Sequence, residues 1–176
     1  GTAAITFGSV TDGTSNFNLT LQDAGGAINQ GTVTVNGNVD VFGINTAAKN
    51  YAIQFRGNTT VNSATNFQNT AGVNFGTSST NVSKFDNGVS AGLTGSGAIG
   101  IAGTLQTSGS SIQLGSTNAA IRLLANATID SGNSSSGAIV LGAIETNQKS
   151  LTLSSGSTSG ATITVASVDN TAAGLT

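Results

Sequence analysis

Cysteine, proline, methionine, histidine and tryptophan are all absent from the 176 residues, and only 7% of them are charged. Each absence removes a class of explanation. Without cysteine there is no disulfide framework and no thiolate chemistry, and without histidine the side chain best suited to proton transfer and metal binding near neutral pH is missing. The five basic residues (Lys49, Arg56, Lys84, Arg122, Lys149) lie far apart in a chain of net charge −2. Phosphate binding needs a concentrated basic surface, so nucleic acid is not an expected partner. No apolar run approaches the ~20 residues of a membrane-spanning helix, and no charged start followed by an apolar core marks a signal peptide. The missing Met leads to the expectation that this is not an intact primary translation product.

What remains is Gly, Ser, Thr, Asn and Ala, together with a hydrophobic share of 37% that includes frequent Val and Ile. Polar disorder usually comes with charge repulsion and few β-branched residues, so this composition points to an ordered, uncharged β protein. The recurrent local unit is an apolar residue, one spacer and a second apolar residue, which places both apolar side chains on one face of an extended chain. It occurs at Ile5/Phe7, Leu19/Leu21, Val33/Val35, Val39/Val41, Ile53/Phe55, Val73/Phe75, Ile99/Ile101, Ile112/Leu114, Ile121/Leu123, Ile139/Leu141, Leu151/Leu153 and Ile163/Val165. Most spacers are small or polar, with Val140 the exception. Helical spacing is sustained nowhere, and the helix-permissive AAIRLLANA (119–127) is read as strand because Ile121/Leu123 and Ile129 fit the same pattern.

Clusters such as TDGTSN, NGN, DNG and SGNSSSG separate the doublets and supply turns. Strand starts fall about 9 to 14 residues apart, as in a sandwich, barrel or solenoid. Hairpin folds usually show longer alternating runs, whereas two inward positions per strand suit the short faces of a parallel β-solenoid (β-helix). The expected fold is therefore all-β, a parallel β-solenoid of short strands, with a β-sandwich or jelly-roll filament subunit as the alternative. Coils of roughly 20 to 24 residues would put about six in the segment 1–134, spanning ~29 Å at the strand spacing of a sheet. Residues 42–50 and 77–98 interrupt the doublets, and the segment NVSKFDNGVSAGLTGSGA (81–98) is read as a bulging loop or weak coil.

The chain also repeats itself over a longer distance. AITFGSV (4–10) returns as AIVLGAI (138–144), Leu19-Thr20-Leu21 as Leu151-Thr152-Leu153, and Val33-Thr34-Val35 as Ile163-Thr164-Val165. The offset shrinks slightly from each pair to the next, as when a repeat keeps its strands and shortens its loops. Residues 1–134 are accordingly read as one long unit of coils and 135–176 as the start of the next, homologous unit. With doublets close to both ends and no polar cap, each end is expected to continue into more chain or to be covered by a neighbour, since bare strand edges invite pairing.

AITFGSVTDGT, NLTLQDAGGAI, GTVTVNGNV and SGSSIQLGS, set between Ser/Thr/Gly/Asn turns, give nearly the whole chain a texture that resembles the repeat regions of bacterial haemagglutinin-like adhesins. Those are the passengers of two-partner secretion and autotransporter systems. The resemblance implies a right-handed parallel β-helix at the cell surface, acting in adhesion, aggregation or matrix building. The Asn-Pro secretion signature of such passengers cannot be present without proline, which leaves the export route unassigned.

No residue is singled out as catalytic, cofactor-binding or metal-binding. A β-helix enzyme acting on polysaccharide would need clustered carboxylates beside basic groups. Asp12, Asp23, Asp40, Asp86, Asp130, Glu145 and Asp169 occur singly, several within turn signals. Calcium would need the Gly-Gly-x-Gly-x-Asp nonapeptide or EF-hand spacing, and neither occurs. Thr20, Thr34, Thr152 and Thr164 suggest the flat Thr arrays of ice-binding solenoids, but outward Thr is ordinary strand chemistry. Isopeptide cross-links from Lys49, Lys84 or Lys149 are set aside in favour of solvated charge. Glycosylation triplets at Asn18, Asn58, Asn81, Asn126 and Asn133 arise by chance in this composition. The expectation is thus a non-enzymatic extracellular segment with no cofactor. Its expected partners are copies of itself end to end, or further covalent coils, with contacts to cell-surface or polysaccharide material. The alternative is a pilin-like subunit donating its N-terminal strand, and a polysaccharide-acting enzyme comes third.

Overall fold

A computed structural model describes residues 4–22, 31–95, 97–116, 119–132, 134–157 and 159–170. Asp23 and Asn133 lie outside this set. Among the described residues there are eighteen strands and no helix. Every strand pairing is parallel.

The strands line three faces. The first face is built from β1 (Ile5–Phe7), β4 (Gly31–Val35), β7 (Tyr51–Phe55), β10 (Val73–Phe75) and the opening residues of β13 (Ile99–Gln106) and β15 (Ile121–Asp130). The second holds β2 (Val10–Thr11), β5 (Val39–Val41), β8 (Thr59–Val61), β11 (Val82–Phe85), the closing residues of β13 and β15, and β17 (Leu151–Ser154). The third holds β3 (Asn18–Leu21), β6 (Gly43–Thr46), β9 (Thr65–Asn66), β12 (Val89–Ala91), β14 (Ile112–Leu114) and the opening residues of β16 (Ile139–Glu145) and β18 (Ile163–Asp169). The closing residues of β16 and β18 turn onto the first face. The chain is a parallel β-solenoid of about six turns; the sandwich alternative, which needs antiparallel pairs, is not the fold.

Along the first face Ile5, Val33, Ile53, Val73, Ile99, Ile121 and Ile144 stack in register, one per coil. The coil is less uniform than the narrow range of lengths expected, and the two longest advances separate Ile5 from Val33 and Val73 from Ile99. The doublets matched by the long recurrence occupy different faces: Ile5 and Val33 the first, Leu19, Ile139 and Ile163 the third, Leu151 the second. The repeating unit of the ladders is the single coil.

All twelve doublets fall in strands; both residues of those from Val33/Val35 to Ile139/Leu141 lie in the core, Leu19, Leu151, Leu153 and Val165 pack against it partly buried, and Ile5, Phe7 and Ile163 on the outermost coils are exposed. At its centre Phe55 and Phe75 of the first face stack with centroids 6.3 Å apart, while Phe67 from the third face and Phe85 from the second meet Phe75 edge-on at 5.4 and 5.6 Å. Rings from three faces thus close one layer, and each fully buried ring contributes roughly 1.5 to 3 kcal/mol through removal from water.

The reading of 42–50 and 77–98 as interruptions is corrected. Both carry strands (β6, β11 and β12), and Ile44, Phe85, Val89, Ala91 and Leu93 are buried. The alternation was hidden because one inward slot of each pair is filled by a hydroxyl or a small residue: Ser83 beside Phe85, Ala91 beside Val89, and likewise Thr59 beside Val61 and Thr65 beside Phe67. AAIRLLANA is extended, as expected, with Ile121, Leu123 and Ala127 buried.

Backbone geometry at the corners lets one strand serve two faces. β13 crosses from first face to second through a register break between Ile101 and Gly103. Gly103 sits at φ +75°, and a Cβ there would collide with the Asn81 carbonyl oxygen, so only glycine fits.

Candidate functional site

The charged side chains are distributed by face. Arg122, Glu145 and Asp169 lie on the first face and Asp40, Lys84 and Asp130 on the second, whereas Asp12, Lys49, Arg56, Asp86 and Lys149 fall at or beside corners. No strand residue of the third face is charged.

The carboxylates considered from sequence remain mostly apart. Asp12 is a backbone clamp: its Oδ2 accepts from the Phe17 N–H at 3.2 Å and the Phe42 N–H at 2.8 Å, joining two coils. Asp130 accepts from the Gly132 N–H at 2.9 Å. Asp86 bonds Lys84 Nζ at 2.7 Å and accepts from the Ser108 hydroxyl. Burial pushes the Asp86 carboxyl up, but the Lys84 ammonium and the Ser108 hydroxyl outweigh it and hold the group below its ordinary value. Arg122 Nε pairs with Glu145 at 2.7 Å, and the ladder places Asp169 in register beside Glu145 on the next coil. This juxtaposition of two acids and an arginine was not visible in the sequence, since it depends on coil lengths. No group of three or more metal-ligating His, Cys, Asp or Glu side chains occurs among the described residues.

The Thr spacers that suggested an ice-binding array are separated, with Thr34 on the first face, Thr152 on the second, and Thr20 and Thr164 on the third. Lys49 and Lys149 are exposed. Several glycosylation-triplet asparagines are engaged in turns: Asn58 Oδ1 accepts from Val82 N–H at 3.0 Å, Asn126 Oδ1 from Ser150 N–H at 3.1 Å, and Asn81 Oδ1 from Thr77 and Ser78 N–H, both at 2.9 Å.

The third face carries shallow surface relief. Its outward row runs Thr20, Asn45, Asn66, Ser90, Gln113, Val140 and Thr164. Shallow depressions of about 370 and 490 Å³ share Asn66, Ser90 and Gln113 in their linings, and a third of about 290 Å³ is lined by Gln113 and Val140. Ser90 Oγ bonds Asn66 Oδ1 at 3.0 Å, which fixes the row between its middle coils. Near the corner where the second face meets the third, Phe17 and Phe42 are 66% and 38% exposed, held on successive coils by Asp12 and by the Phe42 N–H to Phe17 carbonyl bond.

These features define a three-faced parallel solenoid with an uncharged, furrowed third face. In comparisons with known proteins, no family model, curated protein or solved structure matches the chain.

Proposed function

We propose that the chain is a non-enzymatic structural segment of an extracellular bacterial fibre or giant surface adhesin. The observation that carries this reading is the stacking of apolar columns up to the outermost described coils. Ile5 and Phe7 are 44% and 37% exposed and Ile163 and Val168 42% and 61%, whereas the positions they stack on, Val33, Val35, Ile139 and Ile144, are at most 3% exposed. Such columns are stabilised by further coils, supplied covalently or by a second copy stacked end to end. Low charge and the texture shared with haemagglutinin-like passengers support a location at the cell surface and a part in adhesion, aggregation or matrix building.

The test is the mass of the native chain after complete dissociation in hot strong denaturant. A mass many times 17.1 kDa supports covalent continuation in a giant adhesin. A mass near that value, from material filamentous beforehand, replaces it with end-to-end assembly of short subunits. A monomer of that mass that never assembles overturns the fibre reading.

A further inference from the structure

We propose that the third face is a binding surface for a neutral, extended polysaccharide, lying along the solenoid axis over Asn45, Asn66, Ser90 and Gln113. This deepens the adhesin reading and rests on it for its biological setting. Three observations select the ligand class. First, the strands of this face carry no charge, while the other two carry six charged residues between them, so neither a polyanion nor a polycation finds a counter-charge there. Second, the outward groups are amides and hydroxyls that both donate and accept, the chemistry that matches sugar hydroxyls. Among the described residues no hydrogen bond within the chain engages the Asn45 or Gln113 side chain, and the Ser90 to Asn66 bond of 3.0 Å occupies only the Asn66 carbonyl oxygen, leaving its Nδ2 donors without a partner within the chain. Third, from Asn66 through Ser90 to Gln113 these groups stand in ladder register, one per coil at the ~4.8 Å spacing of neighbouring strands, with Asn45 on the coil before them across the unpaired step from β6 to β9. That spacing is close to the length each β-1,4-linked pyranose adds to an extended glycan, so successive sugars meet successive side chains.

The depressions flanking the row accommodate ring edges, and exposed Phe17 and Phe42 offer apolar faces at one end of the track. Asp12 keeps both aromatics in place through their backbone N–H groups. A second copy of the chain is the less suitable occupant. Seven strands about three residues wide present roughly 300 Å², well below the ~800 Å² per partner of a stable protein interface.

The experiment is a titration of the isotopically labelled 176-residue chain, followed by amide chemical shifts, with soluble β-1,4-linked glucose and N-acetylglucosamine hexasaccharides. Heparin-derived and oligogalacturonate hexasaccharides serve as anionic counterparts. The expected result is shift changes confined to the third face with a neutral oligomer, insensitive to salt and absent with the anionic ones. Asn66→Ala combined with Gln113→Ala weakens binding by about tenfold or more. Gln106→Ala, the same outward amide chemistry on the second face, leaves it unchanged. All these side chains point outward, and thermal unfolding of each variant confirms that the fold is kept. The proposal is overturned if a folded chain shows no response to either neutral oligomer, if the shifts fall on the first or second face, or if the anionic oligomers bind equally well. It is also overturned if Gln113→Arg dissolves a dimer that covered the face. These readouts are independent of chain mass, so losing the ligand leaves the fibre reading to its own test.

Discussion

Thr59 and Ser83 stand one above the other in the inward column of the second face, each 1% exposed, and neither hydroxyl has a hydrogen-bond partner. A buried hydroxyl left unpaired costs about 1 to 3 kcal/mol. Replacing Thr59 by Val keeps the shape and removes that cost, so Thr59→Val is expected to stabilise the chain by about 1 kcal/mol, read as a raised midpoint in thermal or urea unfolding. Tyr51 makes the opposite case. Fully buried, it donates its hydroxyl to the Leu21 carbonyl and accepts from the Ala47 N–H at 3.0 Å, so Tyr51→Phe strands two backbone groups and is expected to destabilise. Asp86 adds a pH dependence. Its folded pKa lies below the ordinary value, so the stabilisation is fully present above about pH 4 and is lost as pH falls through the folded value. Its side chain is 25% exposed and its partner Lys84 37%, which keeps the effect small through solvent screening. Asp86→Asn should flatten that part of the stability-against-pH curve; an unchanged acid limb would show that the pair contributes nothing.

At the level of the element, corners rather than strands limit what the chain tolerates. Gly103→Ala forces a side chain into a left-handed backbone and against the Asn81 carbonyl oxygen. It should cost at least about 2 kcal/mol, while Gly8→Ala, where an added Cβ meets nothing within 4 Å, should be close to neutral. Urea midpoints of the two variants make the comparison. The third-face ladder shows a related economy: no backbone pairing joins β6 to β9, and the Thr46 hydroxyl spans the gap, accepting from Gln68 N–H at 2.8 Å and donating to the Asn66 carbonyl at 3.2 Å. The alternating doublets were legible in the sequence because period two is a local property of extended backbone. Residue type alone reads Tyr51 and all seven Phe as core; Tyr51, Phe55, Phe67, Phe75 and Phe85 are buried, but Phe7, Phe17 and Phe42 are exposed, because coil position and corner geometry, not residue type, decide which ring turns inward.

For the molecule as a whole, cohesion comes from apolar columns and backbone ladders, and the ion pairs Lys84–Asp86 and Arg122–Glu145 lie at the surface. Surface pairs contribute little and are screened by salt. Raising sodium chloride from about 0.02 to 0.5 M should therefore leave the unfolding midpoint nearly unchanged; a large drop would mean that electrostatics matter more than the distribution of charge suggests. Because each coil touches mainly its neighbours, damage should also stay local. Phe75→Ala at the aromatic layer should lower amide-exchange protection most in the adjoining coils, with the Ile129 and Leu153 coils less affected.

The sequence by itself determined the class of backbone, the inward residues of the twelve doublets and the shortage of charge, since each follows from residue type and nearest-neighbour spacing. Only the tertiary structure decided which doublet stacks on which. That assignment depends on the cumulative length of every corner, and coils of unequal length shift the register without leaving a fixed period to read. Glu145 beside Asp169 and the charge-free row from Asn45 to Gln113 are consequences of that register. Both unite residues a full coil or more apart in the chain, and so neither was legible before the coils were stacked.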